Sequence, residues 1–494
     1  MARPHARCQT REMAESDSTI PRENRSTTPI SEAFRDFIQT GWTPKNRATP
    51  HPLPHLSHVV DRRQRLSASF PGMTLVIPAG STSVRSNDTD YPYRPHTAFT
   101  YLTGWGSQAT PGSILCGTPE GSSHQWQVFV LPPAPRTSDE FYANAAVGEF
   151  WTGARPGLQE VGTWLGIEAR DLAQWSLGAL NLDTTALIAD AEESLTRALR
   201  DQRGTENSIH DDRLAEVISE MRLVKDAYEI SELTEAVAAT HRGFQDIIDV
   251  LPRATGHPRG ERIVEGAFHA RARVEGNDVG YGTIAASGSH ACILHWVTND
   301  GPVSPGDLLL VDAGVERDSL YTADITRTLP VSGTFTETQR LVYDAVLEAA
   351  DAAFAVVTPG AIFREIHQAA MAVIAAKVSE WGFLPVDLEE ALAPEGQHHR
   401  RYMIHGTSHH LGLDVHDCAN ARREMYLDGV LEPGMVFTIE PGLYFQPDDE
   451  TVPASWRGIG VRIEDNILVT DTGAQNLSAG IPRTATEVEA WLRS

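Results

Sequence analysis

Apolar positions along this chain follow two rhythms. Residues spaced three and four apart mark amphipathic helices over Asp226 to Asp249, Glu261 to Glu275, Glu337 to Val357 and Ala361 to Trp381. Short runs of consecutive apolar, often β-branched residues predict buried strands. Met73 to Ile77 and Trp126 to Leu131 are such runs early in the chain, and Leu308 to Val311, Tyr321 to Leu329, Met435 to Ile439 and Ile459 to Ile463 are later ones. Residues 1 to about 30 have neither rhythm, are rich in Ser, Thr, Arg and Glu, and predict a disordered extension. A short amphipathic helix is expected over Ser31 to Thr40, then a Pro/His-rich linker through His58. His51, His55 and His58 read as linker composition, because no carboxylate or cysteine ligand accompanies them. The order of elements predicts an α/β domain over 59–215, with Asp211 to Val224 carrying the crossing to the next domain. An α+β domain over 216–494 follows, its sheet forming the floor of a site.

Length and composition agree with two folded domains. The 494 residues are 41% apolar, and 41 basic residues face 66 acidic ones, a formal charge of −25. That balance argues against nucleic acid or an anionic membrane as partner, since either needs a concentrated positive face. Four widely separated cysteines form neither a metal cluster nor a disulfide framework. No apolar stretch reaches the ~20 residues of a membrane span, and the start of the chain carries Arg and Glu where a signal peptide has its apolar core. A cytoplasmic location is the expectation.

The strands carry the chemistry. Asp312 closes the Leu308 run, Asp324 interrupts the Tyr321 run, and Glu440 and Glu464 end the last two. A buried carboxylate is costly unless it is paired or binds a cation. Arg327 and Arg462 are the only arginines in these segments, too few for four acids. Four negative charges would be neutralised by two divalent cations. Glu316 to Leu320 can turn a hairpin that sets Asp312 beside Asp324, where like charges repel unless a proton or a cation lies between them. An imidazole is available from the run His405 to Asp417, in which His410 reads as incidental, as does the distant His290. Carboxylates with one imidazole favour Mn²⁺, Mg²⁺ or Fe²⁺. Two such ions lower the pKa of a bridging water and polarise a carbonyl, so hydrolysis is the expected chemistry.

Val311-Asp312-Ala313-Gly314 followed by Asp324-Ile325-Thr326-Arg327-Thr328 resembles the pita-bread metallopeptidases. Three further segments resemble aminopeptidase P within that group: His405 to Asp417, Ile439 to Tyr444 and Gly460 to Asp465. Arg85 to Arg94 and Phe99 to Gly104 are similar to that family's N-terminal domain, so the likeness runs over about 59–490. It implies a C-terminal pita-bread (creatinase/aminopeptidase) catalytic domain behind an α/β N-terminal domain. It also implies an aminopeptidase that releases the residue preceding proline, with two divalent ions, Mn²⁺ expected. Carried over, Asp312, Asp324, His409, Glu440 and Glu464 are the metal ligands, and Glu440 also takes a proton. His295 and His416 contact the scissile carbonyl, and His405 lines the proline pocket. Arg462 sits behind the metals, oriented in part by Asp88. Trp151 is similar to an aromatic that caps a neighbouring subunit's site, in a homodimer or homotetramer. The Asp312–Asp324 connection is about one residue longer than the family's, and the extension before residue 59 has no counterpart in its core. A prolidase restricted to dipeptides shares the five ligands but usually carries a longer insertion between Glu440 and Glu464. A non-catalytic binding module on this fold loses ligands, as do creatine-hydrolysing relatives.

Overall fold

The computed structural model describes residues 30–43, 48–87, 89–203 and 208–493. The predicted disordered extension therefore lies outside the described residues. The short helix expected next forms over Glu32–Ile38, with the Ser31 hydroxyl capping its N-terminus.

The first half of the chain builds a five-stranded mixed sheet in the order Glu168–Asp171, Ser123–Val130, Ile114–Glu120, Thr74–Pro78 and Thr185–Leu187. Its central strand Ile114–Glu120 is antiparallel to both of its neighbours, and each edge strand joins in parallel. Leu75, Ile77, Leu115, Val128 and Val130 pack into one apolar cluster with the helices Leu56–Ser69 and Thr97–Thr103. The expected linker ends sooner than its composition suggests. Leu56 already begins a helix, and His55 stacks on Tyr228 at 4.1 Å, its Nε2 3.0 Å from the Gly104 carbonyl oxygen. His58 lies 3.4 Å from Asp226. Both imidazoles are recruited by neighbours distant in sequence, which composition does not reveal.

The helices of the second half fall close to their predicted spans, at Ala227–Ala254, Gly260–Glu275, Glu337–Ala355 and Phe363–Glu380. They pack on a three-stranded sheet ordered Ile325–Pro330, Leu308–Ala313, Ile284–Ser287, and on a second one ordered Val436–Ile439, Asp465–Thr470, Gly473–Asn476. A two-stranded pair, Gly442–Tyr444 with Gly460–Arg462, lies alongside.

Register decides which acids can meet. Asp312 is directly opposite Thr326 in the antiparallel pair, and Asp324 precedes Thr326 by two residues. Side chains two apart share a face, so Asp312 and Asp324 point to the same side of the sheet as a diagonal pair. The chain between them turns at Arg317 to Leu320, where Arg317 and Leu320 share a backbone hydrogen bond and Leu320 takes a left-handed φ of 73°. Among the described residues no helix is long and apolar enough to cross a membrane.

Candidate metal centre and active site

Five separate stretches bring their acids and imidazoles to one cavity of about 570 Å³. Asp312, Asp324, His409, Glu440 and Glu464 all line it, together with His295, His405, His416 and Arg462. Asp312 comes from the end of its strand and Asp324 from the residue before the next one. Glu440 follows Val436–Ile439, and Glu464 lies between Gly460–Arg462 and Asp465–Thr470. His409 is on a loop whose backbone bonds to the neighbouring strand, its carbonyl accepting from the Thr438 amide at 2.9 Å.

The distances are those of a metal pocket. One ligand atom from each of Asp324, His409 and Glu464 falls within 4.8 Å of the others. His409 Nε2 is 3.3 Å from Asp324 Oδ2 and 3.6 Å from Glu440 Oε1. Asp312 joins through Tyr281, whose hydroxyl lies 2.6 Å from Asp312 Oδ1 and 2.5 Å from Asp324 Oδ1. That hydroxyl has one hydrogen to donate, so two ionised carboxylates cannot both be satisfied by it.

Electrostatics point the same way. Burial first, and then Asp312, push the Asp324 carboxyl well above the usual range. Burial and Glu464 do the same to Glu440, and burial and Asp324 to Glu464. Three carboxyls that resist ionisation within one pocket lack positive charge. Arg462 supplies part of it, donating to Asp312 Oδ2 at 2.6 Å, Thr326 Oγ1 at 3.1 Å and the Tyr444 hydroxyl at 3.1 Å. Arg327 supplies none, since it turns away to the Glu464 carbonyl and to Asp465. Glu464 Oε2 accepts from Thr326 at 2.8 Å, whereas its buried Oε1 has no hydrogen-bond partner among the described residues. An orphaned carboxylate oxygen facing two acids and an imidazole fits a divalent cation.

Two of the other imidazoles, His405 and His416, are held in the neutral form. Burial, then Arg462, lower His405 to about 3, and its Nε2 lies 2.8 Å from the Tyr444 hydroxyl. Burial of its inner face, then His409 and His295, lower His416 to about 4, although its other side is open to solvent. Ile284, Leu294, Val297 and Val415 complete the wall with apolar surface.

The remaining sequence candidates lie elsewhere. Arg462 takes its partners from the surrounding strands, and Asp88 lies outside the described residues. Trp151 sits half-exposed on the short helix Glu149–Thr152, away from the cavity, with its indole N–H on the Tyr142 carbonyl at 2.7 Å. His410 is buried and stacked on Phe363, a packing role. Sequence reasoning missed Tyr281, Thr326 and Tyr444. A tyrosine or threonine in or between strands is ordinary, and none of the three stands out until its neighbours are known.

Comparison with known proteins adds independent support. The profile of metallopeptidase family M24 matches residues 231–471, and that of the aminopeptidase P N-terminal domain matches 59–184. Xaa-Pro aminopeptidase 1 from Streptomyces coelicolor is 49% identical over 465 residues, covering 94% of this chain and 92% of the relative. The structure of aminopeptidase PepP from Pseudomonas aeruginosa superposes with a TM-score of 0.77 at 31% identity, over 90% of this chain and 98% of the other. Aminopeptidase P from E. coli with the inhibitor Pro-Leu gives a TM-score of 0.74 at 31% identity, over 89% and 98%.

Proposed function

This chain belongs to the Xaa-Pro aminopeptidase (aminopeptidase P) family of M24 metallopeptidases, and from that premise we propose that it removes the N-terminal residue of peptides whose second residue is proline. The observation that carries this reading is the convergence of Asp312, Asp324, His409, Glu440 and Glu464 on one cavity, with a carboxylate oxygen left unpartnered. These five would hold two divalent ions, and the oxygen-rich donor set favours Mn²⁺. When bound, the ions supply an activated water and polarise the scissile carbonyl.

The protein's own groups do the rest. Glu440, whose Oε1 lies 3.6 Å from His409 Nε2 at the cavity, is the proton carrier, a carboxylate placed to take a proton from the attacking water and to give it up again. His295 and His416 offer N–H donors to the carbonyl oxygen as charge develops there. A bond preceding proline is a tertiary amide without an N–H, so recognition rests on shape. His405 and the apolar wall residues Ile284, Leu294 and Val297 read the ring. Arg462 holds Asp312 in place and offsets the pocket's negative charge.

The finer parts of the reading are a homodimer or homotetramer, in which Trp151 reaches a neighbouring subunit's site, and a cytoplasmic location. The described cysteines Cys116, Cys292 and Cys418 are free and buried, which suits a reducing compartment. The test is direct: the purified protein with Mn²⁺ releases Arg from Arg-Pro-Pro, and a chelator stops it. Cleavage of peptides without proline, in the absence of release from Arg-Pro-Pro, would refute the specificity. Cleavage confined to the dipeptide Arg-Pro would make the enzyme a prolidase.

A further inference from the structure

His295 reaches the cavity from a long loop, residues 288–301, between the strands Ile284–Ser287 and Leu308–Ala313. Among the described residues no hydrogen bond holds its imidazole, and the side chain is exposed. Its position must therefore come from the backbone that carries it. That loop is pinned from below by a group with no part in the chemistry described so far.

Glu261, in the first turn of the helix Gly260–Glu275, is fully buried. Its Oε1 accepts from the Ser287 amide at 2.8 Å and from His290 Nδ1 at 2.8 Å. Its Oε2 accepts from Trp296 Nε1 at 2.9 Å and from the Gly301 amide at 2.7 Å. One carboxylate thus ties the start, the end and two interior side chains of the loop. Trp296 is the residue after His295, and its ring stacks on His290 at 3.9 Å. There is no room for slack: a Cβ on Gly301 would lie 2.6 Å from His290 and 2.9 Å from Glu261. Asn299 secures the same base separately, bonding the Ala285 amide and the Thr283 carbonyl.

A buried carboxylate with four donors is costly to assemble and rigid once satisfied. Stability alone would be served as well by an apolar contact, whereas these four bonds converge on the flanks of one exposed imidazole. We propose that Glu261 is a positioning residue for His295, acting through Trp296 and the His290 stack to hold the imidazole where the scissile carbonyl binds. The inference rests on the role given to His295 above.

Glu261→Gln tests it with minimal change in shape. The amide keeps one acceptor oxygen and turns an NH₂ towards either Ser287 and His290 or Trp296 and Gly301, setting donors against donors. The expected result on Mn²⁺-loaded enzyme is unchanged metal content and a kcat for Arg-Pro-Pro lower by roughly ten- to a hundredfold, as a small misplacement of a reacting group produces. Hydrogen exchange over 288–301 should rise. In a His295→Ala background the same change should lower kcat less than twofold, because the group it places is already gone. Equal losses in both backgrounds, or unchanged exchange, would overturn the inference and leave the function standing. Full kcat in His295→Ala alone would instead refute the role of His295, and this inference with it. Should Glu261→Gln fail to fold, Trp296→Phe removes one donor while keeping the stack, and a several-fold loss of kcat with the same dependence on His295 is expected.

Discussion

Glu464 shows how one side chain can hold a site together. Its Oε2 is fixed by Thr326, which in turn accepts from Arg462, so the orphaned Oε1 faces the cavity in a set orientation. Glu464→Gln should therefore retain the fold but lose metal. We expect substoichiometric manganese by elemental analysis and a fall in activity of at least a hundredfold, restored little by excess Mn²⁺. The neighbouring acids make a second prediction. Folding raises the pKa of Asp324, Glu440 and Glu464 above their unfolded values, through burial and then repulsion from neighbouring carboxylates, Asp312 included. In metal-free protein their protonated forms favour the folded state, fully so below the ordinary carboxylate range near pH 4, and that stability is lost as pH rises through the raised values. The melting temperature of chelated protein should fall as pH rises above the ordinary carboxylate range, and added Mn²⁺ should raise it most at the alkaline end. A flat profile in chelator would contradict the burial of these groups.

Among the elements, the helix Ala227–Ala254 joins the two halves of the chain, and its N-terminus is the instructive part. Asp226 caps it by accepting from the Tyr228 and Glu229 amides, and Glu229 returns the favour to the Asp226 amide, a capping box. Asp226 also pairs at 2.6 Å with Arg62, which is buried on the helix Leu56–Ser69. Asp226→Asn keeps the cap and drops the charge, whereas Asp226→Ala loses both. Urea unfolding should show the Ala variant less stable than Asn by about 1 kcal/mol, the usual value of a cap. Both should be less stable than the parent, because a buried guanidinium loses a partner. The helix span itself was legible in the sequence from its apolar spacing. The pairing with Arg62, 164 residues away, was not.

At the scale of the whole molecule, the N-terminal half touches the catalytic loop directly. Arg94 donates to Glu316 at 2.7 Å and to the Leu413 carbonyl at 2.5 Å, and Thr97 donates to Asp414 at 2.6 Å. These contacts hold the segment that leads to His416. Arg94→Ala leaves Glu316, already raised by burial against the pull of Arg94, with Asn277 as its remaining side-chain partner. Thermal or urea unfolding should show a loss of about 1–3 kcal/mol, discounted for the partial exposure of Arg94. A lower kcat should accompany it, with little change in metal content. Trp151 belongs to this scale too. Like Phe34, Phe37 and Phe150 it is an exposed aromatic, and an assembly that buries it is expected to weaken in Trp151→Ala. Sedimentation should show a smaller species together with reduced turnover. Unchanged mass would remove Trp151 from the interface.

The amino-acid sequence by itself pointed to the chemistry: four acids in or beside apolar strands, a histidine-rich run to supply an imidazole, motifs in the order of a known family, and helices marked by their apolar spacing. Those features are local, because periodicity and the cost of an acid in an apolar run are properties of neighbours along the chain. The tertiary structure alone decided which groups meet. Tyr281 reaches Asp324 across 43 residues, Thr326 reaches Glu464 across 138, and Glu261 collects donors up to 40 residues away. Such pairings leave no periodic trace, since a hydrogen bond between distant segments depends on how the sheets and helices stack and not on what adjoins either partner.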